Sequence, residues 1–465
     1  MKKLLFGALA LVVSVATAQN NDSDVTIDSS NGNAVNVAQS GSSNESDVKI
    51  TNSSDRNSLN VGQAGTQNRS KVQAKADANR NLLLSGQTGT KNRSNVLVRN
   101  SNANGMALGQ SGTRNKSDID ITGDSNRNAM GISQAGMRNE SYVDIDDDSN
   151  ANVMGVDQRG SDNESDVEID DNSNANAVGN SQRASDNDIE VYIGEEAKNN
   201  AVGISQRGTE NNAYAEASIY SNKNIMAFSQ AGANNNVQVT IYGGSDRNAA
   251  GVSQRGSDNF TRTNIFGGSD RNAVGVSQAG SDNQAGADTY GGSDRNALGV
   301  YQRGSDNETN LEIFGSSSRN SAVSSQRGST NEAGIAVWNG SDRNTAGISQ
   351  RGSSNQSFLE IFSGSNGNAA GLSQRGTSNI SIANVSNGSD RNAAGISQRG
   401  SDNQVGLDIY GSSNRNAAAV SQRGSDNQAS AEISGASNTN AAGVTQAGSY
   451  NQAGVEIKGS SNRNT

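Results

Sequence analysis

Two side-chain types recur in this chain at spacings that can do chemistry, and both are amides. An asparagine stands at Asn33, Asn57, Asn81 and Asn104 and returns through Asn248 and Asn440 to Asn464. The step is 24 residues except for a single step of 23 between Asn81 and Asn104. Six residues after each comes a glutamine, as in Gln39, Gln254 and Gln446, and eleven after it a second asparagine, as in Asn44, Asn259 and Asn451. None of the 18 repeats breaks the pattern. A carboxamide donates and accepts at once, so identical amides stacked one repeat apart can bond to the copy on either side. That chemistry is a hydrogen-bonded ladder. It involves no bond making or breaking.

The groups that usually catalyse are missing or poorly placed. The chain has no His and no Cys, which removes the commonest general base, the commonest metal ligands and the thiol nucleophile. The remaining acids form no acid/base pair, and no nucleophile has a base in view. The chain therefore reads as a non-enzyme, with no catalytic, cofactor-binding or metal residues assigned and no cofactor. A polysaccharide-active β-helix would line a cleft with aromatics, and Trp338 is the only tryptophan. A net charge of -10 argues against nucleic acid as a partner.

Two charge patterns remain. Arginine occupies the seventh position of ten repeats, often with an acid three residues later, as in Arg255 and Asp258. This reads as a solvated face on which opposite charges offset the repulsion of stacked like ones. The stretch Asp118 to Asp171 is richer in acids, among them Asp144, Asp146 and Glu168. Carboxylates one repeat apart repel, and a calcium ion would relieve them, but the nonapeptide spacing of calcium rolls is absent.

The elements that must position the amides are strands. In the repeat beginning at Asn392, Ala394, Ile396 and Gln398 alternate with Ala393, Gly395 and Ser397, the period of a strand with one face buried. Val405, Leu407 and Ile409 continue the alternation in a second strand. Position 2 is Val35, Leu59, Leu83 and Met106 early in the chain and mostly Ala later. Position 4 is a large apolar residue except at Ser85, Asn180 and Ser324. Clusters such as Gly256-Ser257-Asp258 and Gly268-Ser269-Asp270-Arg271 separate the strands as corners. Only 31% of residues are hydrophobic and 4% aromatic, so the core must be thin and built of small and amide side chains. A disordered polar tract would not hold such a register.

These features predict an all-β chain, a β-solenoid of 24-residue strand-turn-strand repeats with two parallel sheets face to face. At one strand spacing of about 4.8 Å per repeat, it would be a rod on the order of 90 Å long. Residues 1–18 read as a secretory signal: Lys2 and Lys3, an apolar run from Leu4 to Val13, then Ala16-Thr17-Ala18. Residues 19–32 read as an N-terminal half-repeat, in which Asn20 matches the second asparagine and Val25 and Ile27 an inward pair. This half-repeat is expected either to detach as an export segment or to overlap a neighbouring subunit. Residues 33–465 are the 18 repeats. The first repeat (Asn33, Gln39, Asn44) and the last (Asn440, Gln446, Asn451) are as regular as the middle, so both ends are expected to present open ladders and unpaired strand edges. Head-to-tail contacts that do not close give a filament.

The pattern Asn-x-(Ala/Val)-x-(Val/Ile)-x-Gln-x-Gly-x-x-Asn resembles the repeat of the curlins, subunits of bacterial curli, a functional amyloid of biofilms. The resemblance covers the whole repeat region. It implies export through an outer-membrane secretion pore, nucleation by a second subunit, and a secreted, extracellular fibre on the bacterial cell surface with a structural and adhesive role. It also implies that ladders such as Asn248, Gln254 and Asn259 hold both the fold and the end-to-end interface. Curlin second strands tend to end in Gln, whereas position 19 here is often Gly (Gly267, Gly291, Gly315). The rival reading is a monomeric secreted solenoid acting as an adhesin shaft or an ice- or cation-binding protein.

Overall fold

The computed structural model describes residues 14–17, 20–460 and 462–464. The chain divides into two compact bodies, Met1–Asn224 with Phe228–Ala231 and Ile225–Ala227 with Gly232–Thr465. Each is an all-β parallel solenoid, and no helix occurs among the described residues. Every repeat contributes a nine-residue strand, such as Ala273–Ser281, and a shorter one of six or seven residues in most repeats, such as Gln284–Tyr290. Long strands pair with long strands and short with short, parallel and residue for residue, so Gln278 lies on Gln302 and Ala285 on Thr309.

The alternation places the core between the two sheets. In the repeat of Asn296, Leu298 and Val300 from the long strand meet Leu311 and Ile313 from the short one, all at most 4% exposed. The three polar exceptions at position 4 are also buried and take partners across the core. Ser85 bonds Ser70 and Ser94 at 2.9 and 2.7 Å, Asn180 donates to Ser165 at 3.0 Å, and Ser324 meets Thr309 at 3.2 Å. A lone buried hydroxyl costs about 1–3 kcal/mol, so these substitutions come with their partners.

Each corner turns on a left-handed residue placed directly before a ladder asparagine: Asp282 (φ 56°) before Asn283, and Arg271 (φ 59°) before Asn272. The first corner also carries a glycine at position 8 in every repeat but one. Gly280 has φ +125°, and a Cβ there would lie 1.9 Å from the carbonyl oxygen of Gly304 on the next rung. The 23-residue step between Asn81 and Asn104 is absorbed in the second corner, since Leu82–Thr90 still pairs with Gly105–Thr113 along its whole length.

The N-terminal half-repeat is seated on the stack and does not detach in this structure. Asp22–Ile27 pairs in parallel with Glu45–Thr51, with Val25 opposite Val48 and Ile27 opposite Ile50. The residue opposite Asn44 is Asn21, not Asn20, and its Oδ1 accepts the Asn44 backbone N–H at 3.0 Å. The shift arises because this repeat is also one residue short, again in the second corner, where no strand register is at stake. Of the segment read as a secretory signal, only Ser14–Thr17 is among the described residues, as a strand paired with Val37–Ser40; the rest lies outside them.

Candidate functional site: the amide ladders

All nine ladder residues singled out from the sequence occupy inward or corner positions of the stack. Asn33, Gln39, Asn44, Asn248, Gln254, Asn259, Asn440 and Gln446 are at most 6% exposed, and Asn451 is half-buried. Three rows of amides run along each body, and their bonding has a fixed sense.

In the glutamine row each Nε2 donates to the Oε1 of the following rung. The bond is 2.8 Å from Gln39 to Gln63 and from Gln254 to Gln278, and 2.7 Å from Gln422 to Gln446. The second Nε2 hydrogen reaches main-chain oxygens, as from Gln254 to Asn236 and Asn259 at 2.9 and 3.0 Å. The row therefore stitches rung to rung and also closes the gap between the two sheets.

The first asparagine row bonds main chain to side chain. Asn33 Oδ1 accepts the backbone N–H of Asn57, Asn248 Oδ1 that of Asn272, and Asn440 Oδ1 that of Asn464, at 2.7–2.8 Å. Each Nδ2 then holds a carbonyl of the same corner one rung on, as Asn33 does the Ser54 carbonyl at 2.9 Å. The second row pairs amide with amide. Asn259 Nδ2 donates to Asn235 Oδ1 at 2.8 Å and Asn451 Nδ2 to Asn427 Oδ1 at 2.8 Å. The same nitrogen holds the carbonyl of the position 8 glycine one rung on, as Asn44 holds Gly65 at 3.0 Å and Asn259 holds Gly280 at 2.9 Å. Buried main-chain groups at the corners have no strand partner of their own, so these side chains satisfy them.

Sequence reading missed two further ladders in the second corner, having taken its Ser and Asp as local turn residues. Ser245, Ser269, Ser293 and Ser317 are fully buried. Each hydroxyl donates to the carbonyl three residues back and accepts the backbone N–H of the serine on the next rung, as Ser269 does from Ser293 at 3.1 Å. Beside it the backbone N–H of Asp270 donates to Asp294 Oδ1, and that of Asp342 to Asn366 Oδ1, at 2.8 and 2.6 Å. The visible signal was the recurrence of Gly-Ser-Asp at one fixed offset.

A stack of aromatic rings was also missed. Phe266, Tyr290, Phe314, Trp338 and Phe362 follow one another at the end of successive short strands, with ring centroids 5.0–5.5 Å apart. The rings cover one another's faces, so the row adds aromatic stacking from rung to rung along the solenoid.

The charged rows differ from the expectation. Among the described residues no position 7 arginine is ion-paired with the acid three residues later. Arg159 pairs with Asp157 at 3.2 Å, while Asp162 is taken by Arg138 of the preceding rung at 2.6 Å. Two residues on neighbouring rungs sit a strand spacing apart, closer than the span of a corner. In the acidic stretch no group of three acids converges into a metal-holding cluster among the described residues.

Burial pushes the Asp120 carboxyl up to about 6, with Asp144 and Asp118 adding to the rise, and Asp144, Asp166 and Glu168 move in the same direction, again chiefly through burial. An acid whose folded-state value is raised binds more protons folded than unfolded, so it stabilises the fold at low pH and loses that contribution as pH rises. Protection of the amides of strands Lys116–Ile121 and Glu140–Ile145 against hydrogen exchange, corrected for intrinsic rates, is thus expected to increase when pH falls from 7 to 4.5. A decrease would mean that these acids are held by partners in the ionised state.

No family model matches the chain, and no curated protein matches it.

Proposed function

We propose that the chain is a secreted structural subunit that stacks end to end on copies of itself into extracellular amyloid fibres of the curlin type. One observation carries the reading: the ladders are the same at every rung. Gln254 donates to Gln278 as Gln422 does to Gln446, and the main-chain register does not change along either body. A surface that receives the next rung of its own chain is fitted to the Asn33 rung of another copy once the seated half-repeat Asp22–Ile27 gives up its place beside Glu45–Thr51, and a head-to-tail contact of that kind propagates without closing. Apolar burial favours the same step. Val455 and Ile457 in the strand Gln452–Ile457 are half-buried, whereas Ala431 and Ile433, covered by that strand, are 0% exposed.

With the curlin resemblance come a nucleating subunit, an outer-membrane secretion pore and a matrix or adhesive role at the bacterial cell surface. The reading needs no enzyme activity, cofactor or nucleic acid. Its test is time-resolved thioflavin fluorescence of the chain lacking residues 1–18, with electron microscopy of the endpoint. Unbranched fibrils after a lag that preformed seeds remove are the expected result. A β-rich species that stays monomeric at micromolar concentration, seeded or not, overturns it in favour of the solitary solenoid.

A further inference from the structure

The outward face of the short-strand sheet in the first body carries two belts of opposite charge. Strands Arg69–Lys75 and Arg93–Arg99 present Lys71, Lys75 and Arg99. Two to four rungs further along, the strand Glu140–Ile145 with the Asp146 that follows it and residues 164–170 present Asp144, Asp146, Asp166 and Asp170. Between the belts lies the strand Lys116–Ile121, which bears charges of both signs.

Neither belt is fully neutralised within the chain, although Asp47 lies beside Lys71 in register. Lys75 is held below the usual lysine range, first by burial and then by Lys71, Lys49 and Arg99. In the acidic belt the N–H groups of Glu140, Tyr142, Asp144 and Asp146 donate to the carbonyls of Asn163, Ser165, Val167 and Ile169 at 2.8–3.1 Å, so the backbone ladder holds the carboxylates of the two segments one rung apart. Among the described residues only Arg69 (with Glu45) and Lys116 (with Glu140) form ion pairs on this face, and both pairs are exposed and readily exchanged.

We propose that this face pairs laterally with the same face of a second copy, related by a two-fold axis that runs parallel to the strands over Lys116–Ile121. Such an axis reverses the order of the rungs while leaving each position along the strand opposite its own kind. Arg93–Arg99 then faces Glu140–Ile145 of the second copy, and Arg69–Lys75 faces its residues 164–170. Position by position, Lys71 meets Asp166, Lys75 meets Asp170 and Arg99 meets Asp146, with Arg69 on Glu164 and Arg93 on Glu140 where the strands begin. Symmetry doubles every pair. Two sheets about 10 Å apart bring such side chains into contact. A two-fold axis along the stacking direction would set acid on acid throughout the acidic belt, whereas within these five strands the axis chosen sets like on like only in the strand it crosses, at Lys116, Asp118 and Asp120. The charge pattern therefore selects an antiparallel pair and rejects the parallel one.

Charge-swap sedimentation tests this. The freshly prepared chain, still within the lag, is expected to sediment at twice its single-chain mass at about 0.05 M salt and at single-chain mass at about 0.5 M, where screening is strong. The variants Lys71→Glu/Lys75→Glu and Asp166→Lys/Asp170→Lys should each stay single, because each sets like charge on like. Their equimolar mixture should recover the doubled mass, which also shows that both variants are folded. Single-chain mass of the parent at low salt, pairing of either variant alone, or failure of the mixture overturns the proposal. So does pairing that requires added calcium, which would make the acidic belt a cation bridge. End-to-end growth uses neutral ladders, so thioflavin kinetics should be the same in parent and variants. Failure of lateral pairing is thereby distinguished from failure of fibre growth.

Discussion

Gly280→Ala is expected to open the rungs around it at a cost above about 3 kcal/mol, a hundredfold or greater loss of amide protection in strands Ala273–Ser281 and Ala297–Ser305. Two penalties coincide. The residue has φ +125°, a conformation alanine adopts only with strain, and the new Cβ would lie 1.9 Å from the Gly304 oxygen. That oxygen is not free to retreat, because Asn283 Nδ2 holds it at 2.9 Å. The chain contains one natural alanine at this position, and it shows the direction of the distortion. Ala184 has φ 93°, while Gly160 and Gly208 on the adjoining rungs have 125° and 121°. Gly275→Ala, on the outward face of the same strand with nothing within 4 Å of the added Cβ, should change stability by less than about 1 kcal/mol. Equal loss of protection in the two variants would show that strand propensity, and not the close approach of rungs, governs this position.

The second large effect is expected from Asn283→Ala. Asn283 Nδ2 donates to Asn259 Oδ1 and to the Gly304 carbonyl, both at 2.9 Å, and its Oδ1 accepts Asn307 Nδ2 at 2.8 Å. Truncation strands these partners in a corner where Asn259 and Asn307 are at most 1% exposed. At about 1–3 kcal/mol for each buried group left unsatisfied, the loss should be roughly 3–5 kcal/mol. Because contacts in a repeat stack are mainly between neighbours, the damage should appear as exchange localised to the rungs of Asn259, Asn283 and Asn307 before any global transition. Asn283→Asp has nearly the same shape but loses both donor bonds and adds a buried charge, so it should be at least as harmful at pH 7 and partly relieved in acid. If Asn283→Ala cost under 1 kcal/mol, the ladder would be incidental to holding the corner.

Both effects bear on assembly, since the proposed growth surface is one more copy of the rung-to-rung contact. A seed made from Asn283→Ala chain should still elongate, because its end rungs are intact, whereas the interior of each subunit should exchange faster. The comparison separates ladders that hold the fold from ladders that extend the fibre.

Much of this architecture was legible from spacing alone, because in a parallel stack the neighbour in space is the residue one repeat further along. Asn248, Gln254 and Asn259 could be named as ladder positions, and Ala394, Ile396, Leu407 and Ile409 as inward ones, without any knowledge of distant contacts. The period fixes which residues lie over which. It does not fix what a side chain bonds to when backbone and side-chain partners compete within one corner. Thus Ser269 and Asp270 looked like local turn formers, yet they bond between rungs. Asn20 was favoured over Asn21 because a residue lost in a corner leaves no mark on strand alternation. Arg138 reaches Asp162 across a rung, a choice set by strand spacing and not by separation along the chain. The sequence by itself determined the repeat, the strands, the buried face and the identity of the three amide rows, since each follows from local alternation and a constant period. Only the tertiary structure decided the sense of each ladder, the carbonyl shared by Gly280 and Asn283, the aromatic stack and the placing of the two charge belts side by side on one face. Those depend on how each corner folds back and which face it turns outward, and the conformation of a corner is set by the packing of the rungs above and below it.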